Sequence, residues 1–343
     1  MKKAAIVILN WNGRKLLEKF LPSLLERTPA GEADIIVADN GSSDDSLLFL
    51  ETHYPDIQRI PLDKNYGFAE GYNRALTDLR HEWIILLNSD VEVSENWFHR
   101  AMDYLDEHKN IIGLQPKILA YNNPAFFEYA GACGGYVDGY GYPFCRGRVL
   151  DTIEADNGQY DEPKPVFWAS GACLFIRLTE FKAAGGFDAQ FFAHQEEIDL
   201  CWRLNARGKK LVVLPQSVVF HVGGATLGKE NPQKIYLNFR NNLLMIYKNL
   251  PDCYYRKVMI ARFFLDYLSA LHFLLKGNFE NALAIGKARR DFKRLKTNYI
   301  AVRKENLKLT LNDELPDTIL RKSMIMQYYI QKKKRFSQLF TTI

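Results

Sequence analysis

One stretch constrains the fold of this chain more than any other: Trp83-Ile84-Ile85-Leu86-Leu87-Asn88-Ser89-Asp90-Val91. An unbroken apolar run leads into Asn-Ser-Asp. A strand buried on both faces of a parallel sheet reads as a continuous hydrophobic run of this kind. The run ends by lifting Asp90 out at the carboxyl edge of the sheet, where open α/β sheets hold their ligands. Asp90 is therefore a candidate to meet a metal ion and, through it, a phosphate. The competing reading is a strand-end aspartate that caps the next helix.

The chain around this stretch repeats the pattern. Ala5 to Leu9 reads as a buried strand, and Asn10-Trp11-Asn12-Gly13 as a turn. Leu16, Leu17, Phe20, Leu21, Leu24 and Leu25 then recur at helical spacing, with Pro22 expected to kink that helix or start a new turn. Asp34 to Ala38 is a second strand, followed by the cap-rich loop Asp39-Asn40-Gly41-Ser42-Ser43-Asp44 and a helix to about Tyr54. A short strand near Ile57 to Leu62 and a helix opened by Asn65-Tyr66-Gly67-Phe68 lead to the Trp83 strand. This alternation implies a doubly wound parallel sheet. A helix from Glu95 to about Lys109 and a strand near Ile112 to Pro116 continue it. The stretch from Tyr121 to Pro165 has no sustained period and reads as a long loop region with short strands, of the kind that shapes specificity. Val166 to Arg177 reads as a strand, and the second half of Phe191 to Leu204 as a helix. Leu211 to Leu214 and Val218 to His221 read as two closing strands, with His221 leading into Gly223-Gly224-Ala225-Thr226. From Ile235 the chain turns helical. Residues 1–234 are expected to form the α/β domain and 235–343 a basic, amphipathic helical region.

Composition narrows the class. At 343 residues, 47% of them hydrophobic, the chain can bury a large core and is long for one domain. No uninterrupted apolar run reaches the ~20 residues of a membrane span. The apolar block after Met1-Lys2-Lys3 is short for a signal peptide, so the expectation is a cytoplasmic protein. Five cysteines without a C-x-x-C pair read as free, buried thiols, against zinc and against disulfides. The net charge of +5 is uneven. Lys276 to Ile343 is strongly basic and the rest mildly acidic, which points the helical region toward an anionic surface and, given basic residues interleaved with Phe, Tyr and Leu, toward a membrane surface at the inner leaflet. An ordinary solvated helical tail is the competing reading. Nucleic acid is not expected as a partner. Val258 to Leu275, interrupted by Arg262, Asp266 and His272, reads as an amphipathic or bundle helix with Arg262 and Asp266 on one face.

Three groups could bring chemistry to the carboxyl edge. Asp39 ends the second strand and can bond a nucleoside's ribose or base, although no G-x-G-x-x-G precedes it; a loop cap is the competing role. Asn88 and Asp90, spaced by one residue, can hold Mg²⁺ or Mn²⁺ against a diphosphate, and His221 could add an imidazole ligand, which favours Mn²⁺. Glu196, Glu197 and Asp199 crowd the head of one helix. A carboxylate there can act as general base toward a hydroxyl, or simply complement the helix dipole. Glu197 is the preferred base with Glu196 as the alternative, and Asp199 is expected to pair with Arg203, four residues on.

The segments ILNWNG, IIVADNGSSDDS, NYGFAEGYNRA, LLNSDVEV, WASGACLFIR, GGFDAQFFAHQEEIDLCWR and VVFHVGG, in this order, resemble the inverting glycosyltransferases of family 2, and within them the rhamnosyltransferase-like group that builds bacterial surface polysaccharides. The resemblance implies a GT-A fold: a Rossmann-like, mostly parallel sheet with flanking helices, here followed by a C-terminal helical region. It implies that Asp39, Asn65, Gly67, Asn73 and Asn88 face a nucleotide-sugar donor and that Asp90 and His221 hold Mn²⁺ or Mg²⁺. Asn88 stands where many members carry an aspartate, and Glu197 where the family usually has an aspartate base. The implied reaction is direct displacement by an acceptor hydroxyl, plausibly on a lipid-diphosphate-linked glycan, with dTDP-rhamnose one possible donor. Two other readings stand beside it. A sugar nucleotidyltransferase would need a Gly-rich phosphate loop where Asn10 to Gly13 stands. A catalytically weak relative serving as a membrane-surface scaffold would suit the departures at Asn88 and Glu197.

Overall fold

The computed structural model describes residues 2–223, 231–311 and 314–340. Gly224, Ala225 and Thr226, expected after His221, lie outside the described residues. The first half follows the expected alternation: β1 (Ala4–Asn10), α1 (Arg14–Glu26), β2 (Ala33–Asp39), α2 (Ser46–His53), β3 (Gln58–Pro61), α3 (Gly67–Ala75), β4 (Trp83–Asn88), β5 (Val91–Val93), α4 (Trp97–Glu107) and β6 (Ile111–Ala120). Pro22 lies inside α1, which continues through it as one helix. Beyond β6 come β7 (Asn123–Phe127), β8 (Gly135–Asp138), β9 (Pro143–Cys145), β10 (Arg148–Val149), β11 (Thr152–Ile153), β12 (Lys164–Pro165), β13 (Cys173–Arg177), α5 (Leu178–Ala183), α6 (Glu196–Ala206) and β14 (Lys210–His221). The helical region comprises α7 (Pro232–Asn249), α8 (Asp252–Leu275), α9 (Phe279–Leu295), α10 (Ile300–Lys308), the short β15 (Ile319–Leu320), α11 (Met324–Tyr329) and α12 (Phe336–Leu339).

The main sheet has the order β12-β14-β6-β13-β4-β1-β2-β3, with β5 added beside β14 and β7 beside β6. β1 is parallel to both β2 and β4, and β14 is parallel to β6. β13 runs antiparallel between β4 and β6, so the sheet is mixed at its centre. Its strand is shorter than Val166 to Arg177, beginning only at Cys173. The two closing strands expected at 211–214 and 218–221 are one strand, β14, whose register against β6 shifts between Leu214 and Val218. Pro215, which cannot donate to a ladder, lies in that irregular stretch.

The central strands β1, β4 and β6 bury both faces, as continuous apolar runs require. In β1, Ala4, Ile6 and Ile8 join the core formed with Leu17 and Leu21 of α1, Leu50 of α2 and Trp97 of α4. Ala5 and Val7 face the other core, with Tyr72 of α3, Phe181 of α5, Leu200 of α6 and Leu243 of α7. Each such fully buried side chain contributes about 1.5–3 kcal/mol.

The stretch after Tyr121 is more ordered than a loop. β8 to β11 form a second sheet, and its fifth strand, β15, comes from the far end of the chain and lies parallel to β8. The basic run Lys332 to Arg335 is exposed, but Phe336 directly after it packs on Tyr136 at 4.9 Å and on Phe144 at 6.0 Å. The tail thus folds back onto the α/β body. Of the five thiols, Cys133, Cys145, Cys173 and Cys201 are buried as expected, whereas Cys253 is exposed. Arg262 and Asp266 do share a face and pair at 3.0 Å. That face points inward: both are buried, and Arg289 of α9 closes on the second carboxylate oxygen.

Candidate active site

Strand register sets up the site. Asn10 lies opposite Asp39, and Leu9 opposite Asn88, so the ends of β1, β2 and β4 share one edge. Asp39 is 1% exposed and already well bonded. Its Oδ1 accepts from Asn10 Nδ2 at 3.0 Å and from the Ser42 hydroxyl at 2.6 Å, and its Oδ2 from the Ser42 amide at 2.9 Å. It therefore holds the Asn40–Ser43 loop against β1, and the loop-capping role is real.

Asn40 ties this edge to α3. Its amide donates to Asn65 Oδ1 at 3.2 Å and to the Gly67 carbonyl at 3.0 Å, while its Oδ1 accepts from the Tyr66 amide at 3.0 Å. Gly67 has φ +75°, and a Cβ there would meet Phe192 at 2.5 Å. Asn65 Oδ1 accepts from the Gly67 amide at 2.8 Å, which builds the turn into α3. Asn73 is occupied differently. It clamps Phe187 by donating to its carbonyl and accepting from its amide, both at 2.9 Å, and so braces the Gly185–Asp188 turn.

At the end of β4, Asp90 and His221 are both buried and meet at 3.1 Å between Oδ1 and Nε2. The Asn88 side-chain nitrogen lies 3.4 Å from the same Nε2. His221 arrives because β14 pairs with β5, setting His221 opposite Val91. A residue not anticipated from the sequence completes the cluster: Glu128, buried, 3.5 Å from His221 Nδ1. Burial opposes a charge on His221, but hydrogen bonds and Coulomb attraction from Asp90 and Glu128 outweigh it and push the imidazole up to about 10. Among the described residues no group of three or more His, Cys, Asp and Glu side chains is placed to hold a metal ion by itself. The set does fit an open site, in which Asp90, His221 and the Asn88 amide would hold a divalent cation and leave positions for phosphate oxygens. A carboxylate behind the other ring nitrogen, as Glu128 is, orients a metal-binding histidine and raises its basicity.

The head of α6 is reached through a strained turn. Phe192, His194 and Gln195 have φ of +63°, +70° and +72°, conformations that cost L-residues energy unless neighbours hold them. Asn241 of α7 does so, donating to the carbonyls of Phe191, Ala193 and His194 at 2.8–3.0 Å. Next to it, Asn242 donates to Gln195 Oε1 at 3.0 Å. This turn delivers Glu196 and Glu197, each with an Oε2 sealed from solvent and without a hydrogen-bond partner. Burial pushes Glu197 up to about 7 against the pull of its own amide and that of Ile198. Glu196 is raised well above the usual carboxyl range by burial and by the neighbouring Glu197 charge. Asp199 pairs with Arg203 as expected, 3.0 Å apart, and also with Lys248 at 2.8 Å and Asn249 at 2.8 Å. Its charge is consumed by helix packing.

Two ties bring these groups to one edge. The Phe192 carbonyl accepts from the Phe68 and Ala69 amides at 2.6 and 3.1 Å, locking the α6 turn onto the start of α3. Arg148 of β10 donates to the carbonyl of Tyr129, next to Glu128, at 3.0 Å and to the Cys145 thiol at 3.3 Å, tying the Glu128 stretch to the second sheet. The arrangement offers a cluster of polar side chains around Asp39 and Asn40, a buried Asp90–His221 pair, and at the head of α6 a raised carboxyl with an unpartnered oxygen.

This fold is the GT-A fold. Residues 5–129, a little over a third of the chain, match the family described as Glycosyl transferase family 2. Over 255 residues, 70% of this chain and 83% of the relative, it is 24% identical to the N-acetylglucosaminyl-diphospho-decaprenol L-rhamnosyltransferase of Mycobacterium tuberculosis. It is also 24% identical over 217 residues to the rhamnosyltransferase WbbL of Escherichia coli, covering 60% of this chain and 79% of that one. Among solved structures, S. aureus TarS 1-349 in complex with UDP-GlcNAc superposes with a TM-score of 0.57 at 17% identity, covering 90% of this chain and 89% of that chain. GalNAc-T7 with UDP, GalNAc and Mn²⁺ gives 0.60 at 17% identity over 88% of this chain, which spans 57% of that one.

Proposed function

We propose that this glycosyltransferase moves a sugar, with inversion, from a nucleoside-diphosphate donor to a hydroxyl of a lipid-linked surface glycan. The observation that carries the reading is Glu197: a carboxyl with a free, water-sealed oxygen, pushed up to about 7, at the head of a helix whose leading turn is bonded to the start of α3. In this reading residues 1–234 are the catalytic unit and 235–343 an accessory helical region at the inner face of the membrane. The names of the mycobacterial and E. coli relatives support dTDP-rhamnose as the first donor to test and a polyprenyl-diphosphate glycan as the acceptor class.

Asp39 and the Asn40–Gly67 network shape the nucleoside end, and Asn65, Gly67 and Asn88 line the way to the phosphates. Asn73 braces the turn behind them. Asp90, His221 and Asn88 would hold Mn²⁺ or Mg²⁺, which supplies charge stabilisation to the departing diphosphate. Glu197 takes the acceptor hydroxyl's proton as that oxygen forms its bond to the anomeric carbon and the bond to the nucleoside diphosphate breaks. Glu196, held well above the usual carboxyl range by burial and by the Glu197 charge, is the alternative base.

The test is nucleoside-diphosphate release from UDP-, dTDP- and GDP-sugars, with Mn²⁺ or Mg²⁺ and with EDTA, with and without a lipid-linked acceptor. Metal-dependent release from one donor, accelerated by acceptor, is expected. Nucleotide binding without turnover under all of these conditions would favour the scaffold reading, to which Asn88 in place of an acid lends support.

A further inference from the structure

The helix α8 presents two unlike faces. Val258, Arg262, Asp266 and Ala270, at four-residue steps, are buried against the body. On the opposite side Phe264, Leu268, Leu271 and Leu275, at steps of four, three and four, are 49–79% exposed. The stripe continues onto α9 through Phe279 and Leu283, both more than 60% exposed. Single exposed apolar residues need no explanation, but a continuous exposed stripe marks an interaction surface.

Between α8 and α9 lies a groove of about 550 Å³. Ile260, Phe263 and Phe292 form its floor, and Arg256, Lys293 and Lys296 stand on its rim. Among the described residues none of these three cations has an acidic partner. The acids nearby are spent: Asp266 on Arg262 and Arg289, Asp252 on Arg303, and Asp291 on Arg294.

We propose that this face docks on an anionic phospholipid bilayer, with the stripe of α8 and α9 in the interface and lipid phosphates seated at the Arg256–Lys293–Lys296 rim. The proposal rests on the membrane placement of the preceding reading, not on its chemistry. Charge complementarity decides the occupant. A second copy of the chain bound through the same face would set the cationic rims against each other. A bilayer offers both halves of what the face presents, hydrocarbon below and a sheet of phosphates above. By length and composition α8, with a mean hydropathy of 1.6, is apolar enough to cross a membrane. Yet its midpoint is fastened to the body: Arg262 donates to Asn242 and to the Tyr140 carbonyl, and Asp266 accepts from Tyr142. A helix held this way lies along the interface.

Liposome flotation tests this, using the full chain with phosphatidylcholine vesicles, with and without phosphatidylglycerol. The wild type is expected to float with the phosphatidylglycerol vesicles. The pair Phe264→Asp with Leu268→Asp should abolish flotation. The pair Lys293→Glu with Lys296→Glu should weaken binding to anionic vesicles by at least about 25-fold, about fivefold for each positive charge lost before the added repulsion, and leave binding to neutral vesicles unchanged. All four side chains are outside the donor edge, so unchanged melting and nucleotide binding establish that the variants fold. Wild-type protein left in the soluble fraction, variants that float like wild type, or a dimer in sedimentation that Phe264→Asp with Leu268→Asp dissociates would each overturn the proposal. Flotation without sugar transfer would sink the transferase reading alone, and transfer without flotation the docking alone.

Discussion

Replacing Glu197 by glutamine removes a base while keeping its size. With its carboxyl at about 7, Glu197 is half ionised near pH 7 and about one-tenth ionised one unit lower. A base acts deprotonated, so the raised value removes activity on the acid side. The kcat/KM of the wild type should rise about tenfold per pH unit up to about 7 and level off about one unit above. Glu197→Gln should lose about 10²–10⁴-fold on that plateau, with nucleotide affinity unchanged. Glu196→Gln should keep most of the activity, because Glu197 still supplies the base. Stability supplies an internal control. A folded-state value raised above the ordinary 4.5 means the folded chain holds that proton more tightly than the unfolded one. The resulting stabilisation is complete below 4.5 and is lost as pH rises through about 7. Glu197→Gln should therefore be more stable than wild type above that range, by up to about 3 kcal/mol in denaturant melts. An inactive variant that is better folded separates chemistry from unfolding. Near-full turnover by Glu197→Gln, or a flat rate profile through neutral pH, would refute the reasoning.

Glu128→Gln should weaken Mn²⁺ affinity about 10–100-fold by titration in the presence of nucleotide, through loss of the carboxylate behind His221; unchanged affinity removes Glu128 from the site. Asn241→Ala leaves the Phe191–His194 carbonyls without their shared donor and should cost about 2–3 kcal/mol of stability in denaturant melts. It should also lower kcat more than it raises donor KM, because the turn it releases carries the two glutamates and not the nucleotide. Asp266→Ala strands Arg262 and Arg289 in the interior and should cost about 3–5 kcal/mol; a loss below ~1 kcal/mol would show that water reaches both guanidinium groups.

The parallel strands were legible because a strand buried on both faces must be apolar throughout, and β1, β2 and β4 are. The direction of β13 was not, since an apolar run looks the same read either way and only the connections decide. The second sheet escaped recognition because its strands are two to four residues long, below any detectable period. Its last strand is contributed by residues remote in sequence. In the site, Asp90, His221, Glu196 and Glu197 stand out as polar groups at the ends of buried elements. Glu128 does not, lying alone in an aromatic stretch, and its meaning comes from the β14 crossover that brings His221 over it. Asn241 and Asn242 were not singled out, because α7 carries other polar residues on both sides of them and nothing in the sequence names the turn they serve. Asn73 shows the converse: its place in a matching segment marks it for the donor, while its hydrogen bonds commit it to the backbone of Phe187.

The parallel pairing of β15 with β8 also fixes an order of assembly. Val137 waits for Ile319, about 180 residues further along the chain, and a pairing that distant forms late and slowly. On the ribosome the donor edge has every strand it needs once β14 has been made. The sheet beside it has an open edge at β8 until residue 320 is clear of the exit tunnel, and Tyr136 and Phe144 remain uncovered until Phe336 follows. A partly synthesised chain can thus fold its nucleotide-facing half while its second sheet stays an adhesive strand edge. Synthesis order, rather than the stability of the finished molecule, decides how long that hazard lasts.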